Sequence, residues 1–246
     1  LIYIFMKYLG GKHLNGKKIA EIIRTFAGPD IFDKYLEPFC GSLGVFKHMT
    51  DYKKSIASDI QSDLIHLWKD LQSNTFVYPK KVTEEDWNKA KKMKSSALKA
   101  FIGFGCSFSG VYFSTYAQKY AGNSNRNFRL ETIRSLEKIK PLIQKKNVKF
   151  YNKPYQKWKP ENSLIYCDPP YKNTAGYNSS SFNHDEFWEI MREWSKNNMV
   201  VISEETAPDD FIAIWEKKKI RTVVKVRNNR FYSIEKLFVY KKYIKK

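Results

Sequence analysis

The segment Asp168-Pro169-Pro170-Tyr171 combines a carboxylate, two rigid prolines and an aromatic ring. It follows Ser163–Cys167, an apolar run with the composition of a buried strand. Ligand sites of open α/β sheets lie at the carboxyl ends of strands. The prolines stiffen the backbone and remove two amide donors, so the segment offers hydrogen-bond acceptors and a stacking face. That combination suits a flat ring bearing an amino group. The alternative is a proline-rich turn that merely ends a strand.

A second candidate site is a glycine-containing turn between a predicted strand and a predicted helix, Glu37-Pro38-Phe39-Cys40-Gly41-Ser42-Leu43-Gly44. Glycine lets a ligand approach the backbone closely. The turn is not G-x-G-x-x-G, so the dinucleotide-binding motif is absent. Asp59 ends the next predicted strand, where an acidic residue commonly binds ribose hydroxyls. The turn and Asp59 together indicate a cofactor that contains adenosine.

Near the amino end, Gly10-Gly11-Lys12 forms a loop that carries a cation, and taken alone it fits an ordinary turn. Metal and disulfide chemistry have little support. The three cysteines have no paired spacing, which argues against a disulfide framework and a cysteine-rich zinc module. The four histidines are scattered, with no i, i+4 pair. We therefore expect no metal site, and a reducing, cytoplasmic environment.

Apolar periodicity and turn residues predict alternating strands and helices around these sites. Seven strands are expected near residues 35, 55, 148, 163, 199, 220 and 234, the last two joined as an antiparallel hairpin. A strand, a glycine turn, a helix and a strand in succession make a βαβ unit, so most of the sheet should be parallel. The predicted helices outside the central region are Lys17–Phe26, a short one from Val45, Ser62–Ser73, Asp185–Lys196 and Phe211–Glu216.

The stretch 71–150 is more basic than the rest of the chain. It holds 16 Lys and Arg against 5 Asp and Glu, a net charge of +11 in a chain whose total is +19. Helices are expected at Thr83–Phe101 and Leu130–Ile143, with a hairpin or an irregular loop at Phe101–Tyr116. We interpret 71–147 as a basic insertion into an α/β domain made of 1–70 and 148–246.

Size and charge narrow the class of protein. With 246 residues, 42% of them hydrophobic, the chain suits one domain that carries an insertion. No apolar run approaches the roughly 20 residues needed to cross a bilayer, so no membrane partner is expected. So basic a chain favours a polyanionic partner, most often nucleic acid. A lysine-rich genome would produce the same charge without such a partner.

Four of these motifs occur in the order found in one enzyme family. The chain resembles the Dam-type (D12 class) DNA adenine-N6 methyltransferases, which use S-adenosylmethionine. The matching segments are Lys7-Tyr8-Leu9-Gly10-Gly11-Lys12, Glu37-Pro38-Phe39-x-Gly41-x-x-Gly44, Ser58-Asp59-Ile60-x-x-Asp63-Leu64-Ile65 and Asp168–Tyr171. The long gap before the last segment matches the position of the family's target-recognition region. The resemblance spans nearly the whole chain.

The resemblance implies a role for each matching residue. Tyr8, Gly11 and Lys12 would line the cofactor and adenine pocket. Phe39 and Gly41 would contact S-adenosylmethionine, and Asp59 would bind its ribose hydroxyls. The carboxylate of Asp168, which also borders the cofactor, and the carbonyl of Pro169 would accept hydrogen bonds from the adenine amino group. Pro170 would stiffen that loop, and Tyr171 would stack on a base that has left the duplex.

The family implies a class I methyltransferase (Rossmann-like) fold: a seven-stranded, mostly parallel sheet with an antiparallel terminal hairpin and an inserted helical target-recognition region. The implied function is methylation of adenine N6 in double-stranded DNA, which would bind through the basic insertion 71–147. We expect an intracellular protein, and the sequence does not distinguish a cellular gene from one carried by a virus or a mobile element. Cytosine-C5 methylation is disfavoured because it usually requires a cysteine that follows a proline, and none of the three cysteines does.

Two departures from the family keep alternatives open. Phe101–Gly122 lacks the run rich in Arg and Asn found in members that read GATC, so that specificity is not carried over. Glu205 stands where the family often has an aromatic residue. A catalytically inactive DNA-binding relative is therefore one alternative. A cytosine-N4 or RNA adenine methyltransferase is another, because an amino group on either base demands similar chemistry.

Overall fold

The computed structural model describes residues 8–28, 30–122, 126–171, 182–221 and 231–244. Lys7 of the amino-terminal motif and residues 222–226 of the predicted sixth strand lie outside these ranges. Among the described helices, none combines the length and the apolar composition needed to span a bilayer.

Seven strands form a single sheet in the order β3-β2-β1-β4-β5-β7-β6. The first five run parallel, whereas β7 is antiparallel to both β5 and β6. The predicted class I methyltransferase sheet is therefore confirmed. The strands are β1 Lys34–Glu37, β2 Lys54–Asp59, β3 Val148–Asn152, β4 Ser163–Cys167, β5 Met199–Glu204, β6 Phe211–Arg221 and β7 Phe231–Tyr240.

Six α-helices accompany the sheet in the described part of the chain. They are α1 Gly16–Ala27, α2 Ser62–Gln72, α3 Glu84–Lys91, α4 Ala97–Ala100, α5 Phe128–Ile143 and α6 His184–Trp194. Shorter 3₁₀ turns lie at Phe46–His48, Phe108–Gly110, Ala117–Tyr120, Tyr155–Lys157 and Lys241–Tyr243, and a π-helical turn lies at Phe101–Gly105.

The helices bury both faces of the sheet. On one face, Ile19 and Ile23 of α1 and Trp68 of α2 are fully buried in the larger core cluster. On the other face, Phe187 and Met191 of α6 pack in a second cluster that also contains strand residues of β4 and β5. Near-continuous burial of β4 and β5 is expected for central parallel strands.

The prediction of a helix at Phe211–Glu216 is wrong, because these residues open the long strand β6. Five consecutive hydrophobic residues cannot be assigned to a helix or a strand by periodicity alone. Pairing with β7 decides the matter, with Phe211 opposite Tyr240 and a bulge between Ala213 and Trp215. The sixth strand therefore begins nine residues before the predicted position.

The predicted helix Thr83–Phe101 is in fact two helices. Thr83 and Asp86 form a capping box that starts α3. The serine-containing link 93–96 interrupts the helix, and the Ser96 hydroxyl accepts a hydrogen bond from the Lys99 amide at 3.2 Å as the new cap of α4. The sequence predicts either a hairpin or an irregular loop for the following segment, Phe101–Tyr116. It is an irregular loop, with an isolated bridge between Ser107 and Tyr116.

The predicted insertion is tied closely to the sheet domain. Asp63 on α2 accepts hydrogen bonds from the Ser96 amide, at 3.0 Å, and from the Tyr112 hydroxyl. Buried side chains such as Trp87 and Leu136 belong to the same hydrophobic cluster as Ile19. Residues 71–147 therefore share a continuous core with the sheet domain, and their separate recognition role stays a prediction.

A close approach of two backbones positions the first helix. A Cβ added to Gly16 would lie 2.0 Å from the carbonyl oxygen of Gly44, which no side chain can tolerate without a shift of the backbone.

Helix propensity alone predicts that Gly16→Ala stabilises the protein by about 1 kcal/mol. We expect instead a loss of roughly 1–3 kcal/mol through overpacking. Urea unfolding of this variant and of the exposed control Lys17→Ala would test the contact, and a more stable Gly16→Ala protein would contradict it.

Candidate active site

The carboxyl ends of β1, β2, β4 and β5 lie side by side at the end of the sheet where these parallel strands terminate. This end is the carboxyl edge of the sheet. Glu37 ends β1, Asp59 ends β2 and Glu204 ends β5, while Asp168 directly follows β4. The parallel register pairs Glu37 with Ala57, and Cys167 with Ile202, so these acids come from adjacent strands. The two motifs that the sequence separates by more than a hundred residues therefore meet at this edge.

The glycine turn after β1 is held by the strand and helix that follow it. The Gly41 amide donates to Asp59 Oδ2 at 2.8 Å, and the Gly41 carbonyl accepts from the Trp68 indole at 3.0 Å. Gly41 has a positive φ of 43°, and a Cβ there would come within 3.1 Å of the Tyr8 ring. Glycine at this position thus lets Tyr8 pack directly on the turn.

The amino-terminal loop lies directly on the same turn. A Cβ on Gly11 would lie 2.9 Å from Ser42 Oγ, and one on Gly44 would lie 2.9 Å from the Lys12 amide nitrogen. The Gly11 amide also donates to the Tyr8 carbonyl at 3.0 Å. Small residues on both segments allow this contact, which directs Lys12 toward the end of β4.

Lys12 lies at the centre of a buried polar cluster. Its ammonium is 2.7 Å from Asp168 Oδ1 and 3.2 Å from Glu235 Oε1. It also donates to the Tyr171 hydroxyl at 2.9 Å and lies 4.6 Å from the centroid of that ring. One cation therefore joins the amino-terminal loop, the segment after β4 and strand β7.

The charges around Lys12 determine its protonation. Burial disfavours the ammonium, but Asp168, Tyr171 and Glu235 outweigh burial, so the pKa of Lys12 is raised well above its usual value. Burial also raises the pKa of the Tyr171 hydroxyl, although Lys12 opposes that shift. At neutral pH the cluster therefore holds a protonated Lys12 and a neutral Tyr171.

Asp59 is buried, yet it retains acceptor capacity. Its Oδ1 accepts from the Gln61 amide at 2.9 Å, and its Oδ2 accepts from Gly41. Burial raises the pKa of Asp59, and hydrogen bonds from the backbone amides of Gln61 and Gly41 act against that rise. The Ile60 amide also acts on this carboxylate, and since a carboxylate has about four lone-pair sites, roughly one remains for a hydroxyl group of a ligand.

Glu37 is a further buried acid at this edge. It accepts a hydrogen bond from the Tyr35 hydroxyl at 2.8 Å. Burial raises the pKa of Glu37 well above its usual value; Tyr35 lowers it, and Asp168 and Asp59 raise it further. Its hydrogen bond to Tyr35 and its burial make it a support for the turn.

Aromatic rings line the other side of the turn. Phe39 is half-buried and packs against Tyr155 and Phe187, with ring centroids 5.1 and 6.0 Å away. Pro169 is buried and Pro170 half-buried in the segment that follows β4. These contacts fix the Phe39 ring at the edge of the sheet where the acids lie.

Sequence reasoning missed two acids of this cluster, Glu235 and Glu204. Glu235 is buried on β7, where it also accepts from Asn15 Nδ2 at 3.3 Å. It shares the inward face of the strand with Leu237 and Val239, both fully buried. A charged residue at an inward position of an apolar strand was the available signal. Glu204 ends the buried strand β5, and only its position after the apolar residues 199–202 could have indicated it.

The residues present suit an adenosine cofactor with a positive charge. Asp59 has free acceptor capacity, Tyr8 and Phe39 offer half-buried aromatic surface, and Asp168 adds a carboxylate nearby. A metal ion has no comparable site, since no group of three or more His, Cys, Asp or Glu in the described ranges could hold one.

Comparisons with known proteins identify the family. The model for the D12 class N6 adenine-specific DNA methyltransferases matches residues 8–99 and 106–236. The chain belongs to this family, and it is a DNA adenine methyltransferase. The match includes Tyr8, Lys12, Asp168 and Glu235.

Two further proteins are similar to the chain. The Type II methyltransferase M.MjaIII of Methanocaldococcus jannaschii is 23% identical over 269 residues, covering 91% of each protein. The crystal structure of a candidate RNA methyltransferase from Pyrococcus horikoshii is 8% identical, covers 90% of this chain and 83% of its own, and superposes with a TM-score of 0.38. At that score it adds nothing to the fold assignment, which rests on the strand order.

Removal of the central cation should destabilise the protein. Lys12→Met removes the cation that binds both Asp168 and Glu235, so we expect a loss of about 3–5 kcal/mol at pH 8. The loss should shrink toward pH 5, because protonation of a carboxylate relieves the repulsion. Urea unfolding at both pH values would measure it, with the exposed Lys18→Met as control. Equal losses for the two variants would contradict the central role of Lys12.

Proposed function

We propose that the protein transfers a methyl group from S-adenosylmethionine to adenine N6 in double-stranded DNA, after the target base has left the duplex. The observation that carries the proposal is the ion pair of 2.7 Å between Lys12 and Asp168 Oδ1. It joins the amino-terminal motif to the Asp-Pro-Pro-Tyr segment at the carboxyl edge of the sheet. Family membership supports the adenine and DNA assignments.

The cofactor would be held at the ends of β1 and β2. S-adenosylmethionine supplies, when bound, a methyl group on a positively charged sulfur. Asp59 would accept hydrogen bonds from the ribose hydroxyls, and Tyr8, Gly11, Phe39 and Gly41 would border the pocket. The carboxylate of Asp168 would favour a cationic ligand over its neutral product, because opposite charges attract strongly in a partly buried site.

Asp168 would activate the adenine amino nitrogen, which is the nucleophile that attacks the methyl group. Adenine N6 is a poor nucleophile because its lone pair is delocalised into the ring. Asp168 and the Pro169 carbonyl would each accept a hydrogen bond from one N–H of the amino group. These hydrogen bonds would shift the nitrogen toward a tetrahedral geometry. Lys12 binds Oδ1, and the side chain of Asp168 keeps 18% of its surface exposed, so part of it faces solvent, from which the substrate would approach. Positioning and electrostatics then lower the barrier without a covalent enzyme intermediate.

Tyr171 and Lys12 would hold the extruded base in place. The Lys12 ammonium binds the Tyr171 hydroxyl and lies over the ring, which fixes its orientation. Extrusion costs a few kcal/mol, and stacking on an aromatic ring returns about 1–3 kcal/mol per base. The fixed ring would therefore offset part of the cost of extrusion.

The basic insertion would bind the duplex beside this site. Most aromatic side chains of Phe101–Tyr116 are packed; Phe101 and Phe104 are buried, whereas Phe108 is 47% exposed. The Leu9 amide donates to the Gly110 carbonyl at 3.3 Å, so the Phe108–Gly110 turn lies against the amino-terminal loop. Phe108 would thus contact DNA next to the pocket that receives the base.

The three cysteines are free and buried, in keeping with the proposed intracellular location.

Two other functions remain as alternatives. The inactive DNA-binding relative is disfavoured because Asp168, Pro169, Pro170 and Tyr171 are all present and Lys12 binds two of them. A cytosine-N4 or RNA adenine methyltransferase would use similar groups at the sheet edge. Family membership favours adenine in DNA over both.

Methyl transfer from radiolabelled S-adenosylmethionine to unmethylated genomic DNA tests the proposal. Nucleoside analysis should find the label in N6-methyladenine, and single-molecule sequencing should find it at one recurring motif. Label in N4-methylcytosine, or transfer to RNA alone, would replace the proposed substrate. Cofactor binding without transfer to any nucleic acid would favour the inactive relative.

Asp168→Ala should abolish methyl transfer while the protein still folds, because Lys12 keeps Glu235 as a counter-ion. Loss of both the charge and the acceptor at the amino group should reduce kcat by at least about 10³-fold. Steady-state kinetics and a thermal melt would measure the two effects, with the exposed Asp209→Ala as control. Turnover within tenfold of wild type in Asp168→Ala would refute the mechanism.

Phe108→Ala should slow methylation of a fully paired duplex by roughly tenfold, since the lost contact helps a base to leave the stack. The same variant should be near normal on a duplex with a mismatch at the target adenine, where extrusion is easier. Comparison of kcat/KM on both duplexes would separate extrusion from chemistry. Val77→Ala, exposed in the same region, is the control. An equal loss on both duplexes would exclude this role for Phe108.

A further inference from the structure

Glu204 is a buried acid that the reaction as described does not use. It is the last residue of β5, beside β4, and only 4% of its surface is exposed. The register pairs Cys167 with Ile202, so Asp168 and Glu204 both lie within two positions of the last pair. The side chain is thus at the edge of the sheet where the methylation site is proposed.

The hydrogen bonding of Glu204 is incomplete. Oε1 accepts a hydrogen bond from the Glu205 amide at 3.2 Å. Oε2 is also buried, and no residue in the described ranges forms a hydrogen bond with it. A buried polar atom without a partner is costly, so such atoms often mark a ligand site. The geometry alone therefore makes Glu204 a candidate for contact with a substrate.

The surroundings favour the neutral form of this carboxyl. Burial raises the pKa of Glu204 to about 8, Asp168 and Glu205 add to the rise, and the Glu205 amide and Lys12 oppose it. At pH 7 the side chain therefore carries a proton and is a hydrogen-bond donor. It becomes an acceptor only as the pH rises through about 8.

Other charges near β5 are bound elsewhere. Lys236 on β7 is opposite Glu204 in the register, but its ammonium lies 4.0 Å from Glu216. Arg192 on α6, which packs against β5, binds Asp210 at 2.6 Å. Neither cation is therefore available as a close counter-ion that would ionise Glu204.

We propose that Glu204 is a substrate-contacting residue whose protonated carboxyl donates a hydrogen bond to a ring nitrogen of the extruded adenine. This inference rests on the proposed function. Adenine presents an amino donor at C6 with acceptor nitrogens, N1 and N7, on either side of it. Asp168 would accept from the amino group while Glu204 donates to one of these nitrogens, so the pair matches the donor and acceptor pattern of adenine. A guanine, which carries no amino group at C6, would leave Asp168 without its donor.

The pH dependence of kcat/KM tests the proposal on a duplex that carries the recognised sequence. For the wild type, kcat/KM should fall by about tenfold in total as the pH rises through roughly 8, because the donor is lost. Glu204→Gln keeps a donor of the same shape at every pH, so this fall should disappear while activity at pH 7 is retained. Glu204→Met lacks the donor and should lose about tenfold at pH 7. Glu205→Gln, on the neighbouring residue, should keep the alkaline fall and move it slightly toward lower pH, because it removes a charge that raises the pKa of Glu204.

Adenine analogues test the contact itself, both in turnover and in equilibrium binding of the duplex. Replacement of the target by 1-deazaadenine or 7-deazaadenine should cost the wild type about tenfold for one of the two analogues. Glu204→Met should act equally well on that analogue and on adenine. A loss with 1-deazaadenine would indicate contact with N1, and a loss with 7-deazaadenine would indicate contact with N7.

The inference would be overturned if kcat/KM of Glu204→Gln still fell at alkaline pH as in the wild type. It would also be overturned if Glu204→Met discriminated against the deaza analogues as strongly as the wild type does. Wild-type protein that does not methylate adenine in DNA would instead refute the proposed function. Because Glu204→Gln preserves the shape of the side chain, its pH profile remains informative if Glu204→Met does not fold.

Discussion

The ammonium of Lys12, enclosed by Asp168, Glu235 and Tyr171, is the contact on which the rest of the site depends. Glu235 is buried and Asp168 is half-buried, and the shared ammonium offsets the cost of desolvating the two carboxylates, which is several kcal/mol. The two acids in turn help to keep the ammonium charged in a buried position. One ammonium, through two salt bridges, therefore holds together three segments that are far apart in the chain: the amino-terminal loop, the end of β4 and strand β7.

The glycines of the turn after β1 allow this contact to form. Lys12 reaches Asp168 because its loop lies directly against Gly44, and the start of α1 lies against the same residue. Burial of α1 on the sheet thereby positions the Lys12 ammonium, so the proposed site relies on the same packing as the fold. This explains why small residues recur on both segments, at Gly11, Gly16 and Gly44.

Charge is unevenly distributed along the chain. The chain as a whole carries +19, with more than half of the excess in 71–150, yet the carboxyl edge of the sheet gathers acids. The basic stretch suits the phosphates of DNA. The acidic edge suits an amino group and a cationic methyl donor. In the proposed function, the basic stretch would bind the polyanion and the acidic edge would bind the cation.

Much of this site could be predicted from sequence because its motifs are local. The Asp-Pro-Pro-Tyr segment and the glycine turn each lie within a few residues, and strand ends follow from apolar runs. Glu235 could not be placed in this way, since its partner Lys12 is more than two hundred residues away. The apolar start of β6 was misassigned for a related reason, as only pairing with β7 distinguishes it from a helix. Long-range pairing is the information that local patterns lack.

A double-mutant cycle between Lys12 and Glu235 tests the central claim most directly. The free energy of unfolding would be measured for wild type, Lys12→Met, Glu235→Gln and the double variant. If the ammonium and the carboxylate compensate each other, Glu235→Gln should restore part of the stability lost in Lys12→Met, with a coupling of about 1–3 kcal/mol. Losses that add within roughly 0.5 kcal/mol would show that the two side chains act independently, and would contradict this account of the site.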